Sequence, residues 1–226
     1  MFVGHYSAAL AAKAAEPRAP LWTYVIGCQL LDVAWAGFIM TGVEKARVDP
    51  SLPGSTLVLY DMPFTHSLPG ALAWSVGGGL LARLALRVPW RAAVFVGLVV
   101  FSHWIADLLV HRPDLELWFG GPKAGFGLWN FPVAEQAVEI GLLAVAGVFW
   151  TAWRIRAGRK AWPAGFFLMF LVALQIYALS APEGGGPVQM GAVTLAAYLV
   201  VAFVAWLVEH GPVDAADRLP GTPVRA

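Results

Sequence analysis

The sequence predicts an all-α membrane protein: a polytopic helix bundle of six transmembrane spans, preceded by a short N-terminal helix that carries His5. Of its 226 residues, 59% are hydrophobic and 13% are charged, and the mean hydropathy is +0.67. Soluble domains carry about 25% charged residues, so this chain has too little polar surface to face water. Apolar runs long enough to cross a bilayer follow one another, without an internal repeat.

The apolar runs define the helices in order. A short helix at about 2–15 is ended by Pro17 and Pro20, because proline is excluded from the helix interior. Spans follow at about 21–42, 67–88, 90–111, 131–154, 162–181 and 188–209. Only the turn at Val88–Pro89 separates the second span from the third.

The remaining segments are predicted to lie outside the bilayer. Residues 43–66 and 112–130 are loops, and 211–226 form a polar, disordered tail after one membrane-embedded domain at 1–210. Of the 15 Lys and Arg residues, eleven lie on one side of the spans. Cytoplasmic loops are enriched in these residues, so that side, which holds the C-terminus, is expected to be cytoplasmic and both long loops to face outward.

Composition excludes several kinds of site. A net charge of +1 argues against a nucleic-acid partner. Cys28 is the single cysteine, which excludes an internal disulfide and a cysteine-based zinc cluster, and we expect a buried, inert thiol there. No basic residue precedes the first apolar stretch, so we expect 1–16 to be part of the mature protein rather than a signal peptide.

Ionisable side chains interrupt the spans or flank them, although burying a charge in hydrocarbon is costly unless it pairs, binds a metal or lines a wet cavity. Those inside the spans are Asp32, His103, Asp107, Glu135 and Glu139, and those at the ends are His5, His66 and His111.

These groups are predicted to lie at similar depths. His5, Asp32 and His103 are each twelve residues from the cytoplasmic end of their helix. With about 1.5 Å of rise per residue this is about 18 Å. Glu139 comes to about the same depth from the outer end of its span, and Asp107 lies one turn further out. Separate helices thus place their polar groups in one slab of the outer leaflet.

Helical phase supports a common site. His103, Asp107 and His111 are four residues apart and share one helix face, and Glu135 and Glu139 share another. Imidazoles and carboxylates without thiolates suit zinc first, then manganese or iron. The set exceeds what one tetrahedral ion uses, which allows two ions that share a bridging carboxylate.

Each residue also has an interpretation without a metal. Asp32 could pair with a histidine of another helix, and His5 could be a hydrogen-bonded bundle residue. His111 could simply end its helix, Asp61 could order its loop, and Glu135 could complement a helix N-terminus.

Four motifs then occur in order. They are Gly4-His5, Asp32, the run Asp61-Met62-Pro63-Phe64-Thr65-His66-Ser67-Leu68, and the run Ser102-His103-Trp104-Ile105-Ala106-Asp107. The order resembles the bacterial inner-membrane, metal-dependent hydrolases of the LexA-binding, YdjM-like family, over about residues 3–140. The resemblance implies metal ligation by His5, Asp32, His66, His103 and Asp107. Asp61 stands where that family has a histidine, and Asp32 alone represents its Asp-x-Asp pair. The chain is more loosely similar to zinc-dependent phospholipase C.

The sequence therefore predicts a membrane-embedded hydrolase with one or two metal ions, which acts on an ester or phosphoester of a lipid-like or periplasmic small molecule in the outer half of the cytoplasmic membrane. Asp61, Glu139 and His111 are expected to complete the ligand set, with Glu135, Glu139 and Asp61 as catalytic candidates. An ion- or proton-coupled transporter and a non-catalytic metal-binding scaffold are the alternatives.

Overall fold

A computed structural model describes residues 1–181 and 185–210, so the predicted tail at 211–226 lies outside the described part. Its α-helices are α1 (Tyr6–Ala15), α2 (Leu21–Cys28), α3 (Leu30–Thr41), α4 (Leu68–Ala85), α5 (Trp90–Val110), α6 (Pro132–Arg156), α7 (Trp162–Ser180) and α8 (Pro187–His210). Its strands are β1 (Lys45–Val48), β2 (Leu57–Asp61), β3 (Leu115–Glu116) and β4 (Lys123–Ala124). Short 3₁₀ helices lie at Val3–His5 and Leu128–Asn130.

The structure is mostly helical, and several helices can cross a membrane. Among the described residues, α5, α6, α7 and α8 are long and apolar enough, and α2 with α3 makes a fifth candidate as a bent pair. Large apolar side chains on the outer faces are exposed, such as Leu84 at 72% and Met169 at 74%, as lipid contact requires. Six spans remain a prediction, because α4 is outside this set. It carries Arg83 and three consecutive glycines at 77–79, which lower its hydropathy.

The predicted span at 21–42 is broken. Gln29 leaves the helical conformation with φ −115° and ψ 10°, and α2 and α3 meet there at an angle of 52°. Its side-chain amide donates to the Phe2 carbonyl at 3.3 Å, so the break is tied to the N-terminal segment. The break starts a new helix whose first turn contains Asp32.

The N-terminal segment lies inside the bundle rather than along its surface. Val3, Tyr6 and Leu10 are fully buried, and α1 packs against α2 and α6. His5, at the end of the 3₁₀ helix, is therefore held at the centre of the protein with 2% exposure.

Helices α4 and α5 approach each other closely through glycine. A Cβ at Gly79 would lie 2.9 Å from the Ala93 carbonyl oxygen, and one at Gly97 would lie 2.9 Å from the Ser75 carbonyl oxygen. Small residues permit such backbone contact between membrane helices. This contact fixes α5, which carries the predicted site residues His103 and Asp107 in its last two turns.

A polar network holds the predicted cytoplasmic end together. Buried Lys13 pairs with Glu209 and donates to the carbonyls of Pro17 at 2.9 Å and Ala19 at 2.8 Å. Nearby, Glu16 accepts hydrogen bonds from Arg18 at 2.5 and 2.6 Å, and these bonds lower the pKa of the Glu16 carboxyl group. The network ties α1 to α8 without contributing to the site described below.

Both predicted loops contain antiparallel hairpins that short sequence patterns did not predict. β1 pairs with β2, with Arg47 opposite Val58, and β3 pairs with β4, with Leu115 opposite Ala124. Arg112 links the two loops by donating to the carbonyls of Ser55 at 3.0 Å and Pro53 at 2.7 Å.

Candidate metal centre

Several elements bring buried imidazoles and carboxylates together. The 3₁₀ helix supplies His5, the first turn of α3 supplies Asp32, and the residue pair before α4 supplies His66. Helix α5 supplies His103 and Asp107 from one face, and its C-terminal cap is His111. The exposure of these side chains is at most 4% except for Asp32, at 17%.

Asp107 lies at the centre of the cluster and uses both oxygens. Its Oδ2 is 3.0 Å from His103 Nε2 and 3.5 Å from His66 Nε2. Its Oδ1 is 3.1 Å from His5 Nε2 and 3.4 Å from His111 Nε2, and it also lies 3.2 Å from the Met1 nitrogen. The carboxylate thus has a different set of imidazoles on each side.

Asp32 closes one side of the cluster. Its Oδ1 lies 3.2 Å from His66 Nε2 and 3.5 Å from His103 Nε2. Its other oxygen accepts a hydrogen bond from the Tyr198 hydroxyl at 2.5 Å, which orients the carboxylate. Helix α8 therefore takes part in the site through Tyr198, an uncharged residue that the sequence analysis did not single out.

The spacing of these atoms fits a cation. Atoms about 2.0–2.1 Å from a tetrahedral zinc lie about 3.3 Å from each other, close to the separations around Asp107 and Asp32. The residues form two possible ligand sets, and within each set all ligand atoms lie within 4.8 Å of one another. One set is His5, His103 and Asp107, and the other is Asp32, His66 and His103. Buried His5 Nε2 and His103 Nε2 have no hydrogen-bond partner in the described part of the chain despite these short distances. The atoms converge on shared points instead of bonding directly to each other.

The outer contacts of three histidines explain why Nε2 faces inward. His103 Nδ1 lies 2.7 Å from the Cys28 carbonyl oxygen, and His111 Nδ1 lies 2.9 Å from Asp114 Oδ1. Both partners only accept hydrogen bonds, so each Nδ1 carries a proton, and in the neutral ring each Nε2 presents a lone pair. Histidines that bind metals are oriented in this way.

Glu44 orients the third histidine through Thr65. The buried Glu44 carboxylate accepts hydrogen bonds from the Thr65 hydroxyl at 2.6 Å and from the amides of Phe64 and Thr65 at 2.8 and 2.9 Å. The hydroxyl proton is thus used, and the Thr65 oxygen, 2.7 Å from His66 Nδ1, accepts from that ring nitrogen. His66 Nε2 then also faces the cluster as a lone pair.

The structure places the other predicted residues elsewhere. Asp61 lies in β2 and pairs with Lys45 at 3.3 Å, outside both ligand sets, since the hairpin turns it toward β1. Glu139 accepts hydrogen bonds from the amides of Phe2 and Gly4, at 3.0 and 2.9 Å, so it orders the segment that carries His5. Glu135 lies one turn away and accepts a bond from Gln136 at 2.6 Å.

Comparisons of the chain with family models, curated proteins and solved structures find no match. The resemblance to the YdjM-like hydrolases stays a prediction from motifs.

A cavity of about 400 Å³ opens over the cluster. Asp32, His66, Asp107 and His111 line one end of it, and Glu135, Gln136, Glu139 and Gln175 form a second polar region. Apolar side chains of α7 and α8, including Leu179 and Met190, complete the wall. The cavity can therefore bind a molecule with both polar and apolar parts.

Proposed function

We propose that this protein is a membrane-embedded, metal-dependent hydrolase that acts on an ester or phosphoester of a lipid or lipid-linked molecule. The observation that carries the proposal is the convergence of imidazole Nε2 lone pairs and two carboxylates at one end of an amphipathic cavity. Neutral imidazoles that turn lone pairs toward two carboxylates in a buried site repel them, and a metal ion or added protons between them remove that repulsion.

Asp107 is proposed to bridge two metal positions. Its Oδ2 faces His66 and His103, which also meet Asp32, and its Oδ1 faces His5 and His111. The donor set of nitrogen and carboxylate oxygen suits zinc, with manganese or iron next. Such ions lower the pKa of a water molecule toward neutrality and stabilise the charge that develops on an ester or phosphoester oxygen.

Glu135 is the proposed proton acceptor. Its carboxylate lines the same cavity as Asp32 and Asp107 but belongs to neither ligand set, and the amide of Gln136 holds it in place. A carboxylate close to the site that is free of ligand duties can accept a proton from the attacking water and return it to the leaving group. Glu139 positions His5 and the N-terminal segment, and Asp61 stabilises the outer hairpin.

The proposed location is the outer half of the bacterial cytoplasmic membrane. The Lys- and Arg-rich end of the bundle holds the Lys13 network, and the cluster lies toward the opposite end, near the hairpins. The enrichment of Lys and Arg in cytoplasmic loops supports this orientation. A lipid substrate could then reach the cavity from the outer leaflet or the periplasm.

A transporter is the second candidate, and the break between α2 and α3 favours it, since broken helices line many transport sites. Packing still favours hydrolysis. Between the cluster and the Lys13 network, α1, α2 and α5 contribute fully or almost fully buried apolar side chains such as Leu10, Val25 and Val96. In the described part of the chain, these side chains separate the polar cavity from the Lys13 network.

Metal content provides the first test. Protein purified in detergent without chelators should contain one or two ions per chain, measured by mass spectrometry of the elements. The variant that combines His103→Ala with Asp107→Ala should lose these ions. Asp107→Asn keeps the shape of the side chain but removes its charge, so loss of metal in this variant as well would not come from misfolding. His210→Ala is the matched control, because that ring bonds only to the Trp206 carbonyl in the described structure. Negligible metal in both wild type and the double variant would end the proposal.

Turnover is tested on the same preparations. Short-chain phospholipid esters should be hydrolysed by wild type, and a chelator should abolish the reaction until zinc is added back. Glu135→Gln should bind metal normally, and its rate of ester hydrolysis should fall by roughly 10²–10⁴-fold, as is typical for loss of a general base. Metal binding without hydrolysis of any ester would favour a scaffold role.

A further inference from the structure

Three polar side chains form a chain of hydrogen bonds inside the cavity. Gln175 of α7 donates through Nε2 to Gln136 Oε1 at 2.9 Å, and Gln136 of α6 donates through Nε2 to Glu135 Oε2 at 2.6 Å. All three line the cavity that also contains the cluster. This relay is separate from both candidate ligand sets.

The carboxylate at one end fixes the direction of the relay. Glu135 Oε2 accepts from Gln136 Nε2, so Gln136 presents its carbonyl oxygen to Gln175. That oxygen in turn requires the NH₂ of Gln175. Gln175 Oε1 is therefore left at the far end as a hydrogen-bond acceptor.

This acceptor has no partner in the described part of the protein. Gln175 is 4% exposed, and its Oε1 is buried without a hydrogen bond. A buried acceptor without a partner costs free energy, so such an atom in a cavity wall indicates a group that a bound molecule supplies. The missing group must donate a hydrogen bond.

The surroundings narrow the chemistry of that group. No Lys or Arg is among the described residues that line the cavity, whereas Glu135 and Glu139 lie close to the relay. The Met1 nitrogen also lines the cavity but pairs with Asp107 at 3.2 Å, so an anionic group at the relay would face the carboxylates of Glu135 and Glu139. A hydroxyl or ammonium group can donate a hydrogen bond to Gln175 Oε1 and brings no negative charge close to these carboxylates.

We propose that Gln175, held by Gln136 and Glu135, forms a headgroup subsite that recognises a hydroxyl or ammonium donor on an amphiphile. The alkyl chain of the amphiphile lies against Leu179 and Met190, which line the apolar wall. The lipid nature of the ligand rests on the proposed function, but recognition by Gln175 requires neither a metal nor turnover.

Equilibrium binding of short-chain lipids tests the subsite. Native mass spectrometry in detergent measures binding of dihexanoyl phosphatidylethanolamine, phosphatidylglycerol and phosphatidylcholine to wild-type protein. The first two carry N–H or O–H donors and the third carries none in its headgroup. At least one donor lipid should bind about tenfold more tightly than phosphatidylcholine, as one buried hydrogen bond provides. The two donor lipids distinguish an ammonium site from a hydroxyl site.

Variants assign the preference to Gln175. Gln175→Met should remove the preference and leave phosphatidylcholine binding unchanged. Gln189→Met, at an exposed glutamine of α8, is the matched control and should behave as wild type. Equal binding of all three lipids by wild type would overturn the proposal, even if Gln175→Met fails to fold.

Metal analysis of the same samples separates the two proposals. A donor preference in metal-free protein supports the subsite while the metal proposal fails. Two results reject the subsite alone. One is full metal occupancy without preferential binding of the donor lipids, and the other is a preference for donor lipids that persists in Gln175→Met.

Discussion

Asp107 Oδ2 lies 3.0 Å from His103 Nε2, one helical turn away, yet His103 Nε2 has no hydrogen-bond partner among residues 1–181 and 185–210. The proton of that ring is on Nδ1, which donates to the Cys28 carbonyl at 2.7 Å. His5 Nε2, 3.1 Å from the other oxygen of Asp107, is also without a hydrogen bond in the described structure. Lone pairs so close together favour a shared cation over ordinary ion pairs.

Metal removal should therefore destabilise the bundle. An ion at 100 times its dissociation constant stabilises the folded state by about 2.7 kcal/mol. A chelator should lower the Tm of wild-type protein in detergent by several degrees, measured by differential scanning fluorimetry. His103→Ala should have a lower Tm that the chelator no longer changes, and His210→Ala should respond as wild type. An identical Tm with and without chelator, in protein shown to contain metal, would contradict a buried site.

Glu44→Gln should weaken metal binding although Glu44 touches no ligand atom of the cluster. The amide can donate as well as accept, so it no longer forces the Thr65 hydroxyl to donate and His66 Nδ1 to carry the proton. Loss of such an outer contact typically lowers metal affinity by about 10–100-fold. Competition with a fluorescent chelator measures the change. Glu116→Gln, at a buried glutamate whose carboxylate bonds to the Gly120 amide in the other hairpin, should leave the affinity unchanged.

The sequence predicted part of this site because two kinds of pattern are visible in it: the spacing of residues along one helix, and the distance of a residue from the end of its helix. His103 and Asp107 share a helix face by spacing alone, and counting residues from the helix end placed His5 at the depth of Asp32. Glu44 could not be found in this way, because its role arises from contact with residues twenty positions later. Thr65, which links Glu44 to His66, lies next to that histidine in the sequence, but nothing near Glu44 itself indicated the contact.

The features that the sequence analysis did not anticipate have similar causes. The break at Gln29 has no proline beside it, and contact with the N-terminal segment accompanies it. Asp61 precedes His66 closely in sequence, but a strand pairing with Lys45 turns it toward the hairpin. Tyr198 and Gln175 are uncharged residues of apolar helices, so only the packed structure places them beside Asp32 and Gln136.

Tyr198→Phe should remove the hydrogen bond that orients the Asp32 carboxylate while keeping the carboxylate itself. The hydroxyl donates to Asp32 Oδ2 at 2.5 Å, and a hydrogen bond to a charged group contributes about 1.5–3 kcal/mol. Metal affinity should fall by about tenfold or more, and the same chelator competition measures it. Tyr177→Phe, at an exposed tyrosine of α7, is the control. No change in Tyr198→Phe would mean that Asp32 is oriented by other contacts.

Glu16 should make stability depend on pH at the predicted cytoplasmic end. Hydrogen bonds from Arg18 lower the pKa of Glu16 below its ordinary value of 4.5. A lowered carboxyl pKa contributes stability that is present above the ordinary value and is lost as the pH falls through the lowered one. Glu16→Gln should therefore have a lower Tm than wild type at neutral pH, and the difference should shrink in acid. Arg18→Met should reproduce this trend, and a Tm difference independent of pH would contradict the assignment.

Gly79→Ala should destabilise the contact between α4 and α5, whereas Gly77→Ala should not. A Cβ at Gly79 would lie 2.9 Å from the Ala93 carbonyl oxygen, and the backbone of α5 must move to admit it. Such overpacking typically costs about 1–3 kcal/mol. Gly77 has nothing within 4 Å of the corresponding position, so alanine there gains helix propensity of up to about 1 kcal/mol. Thermal unfolding in detergent compares the two variants. Because α5 carries His103 and Asp107, Gly79→Ala should also weaken metal binding, and equal stability of the two variants would show that the helices do not pack this closely.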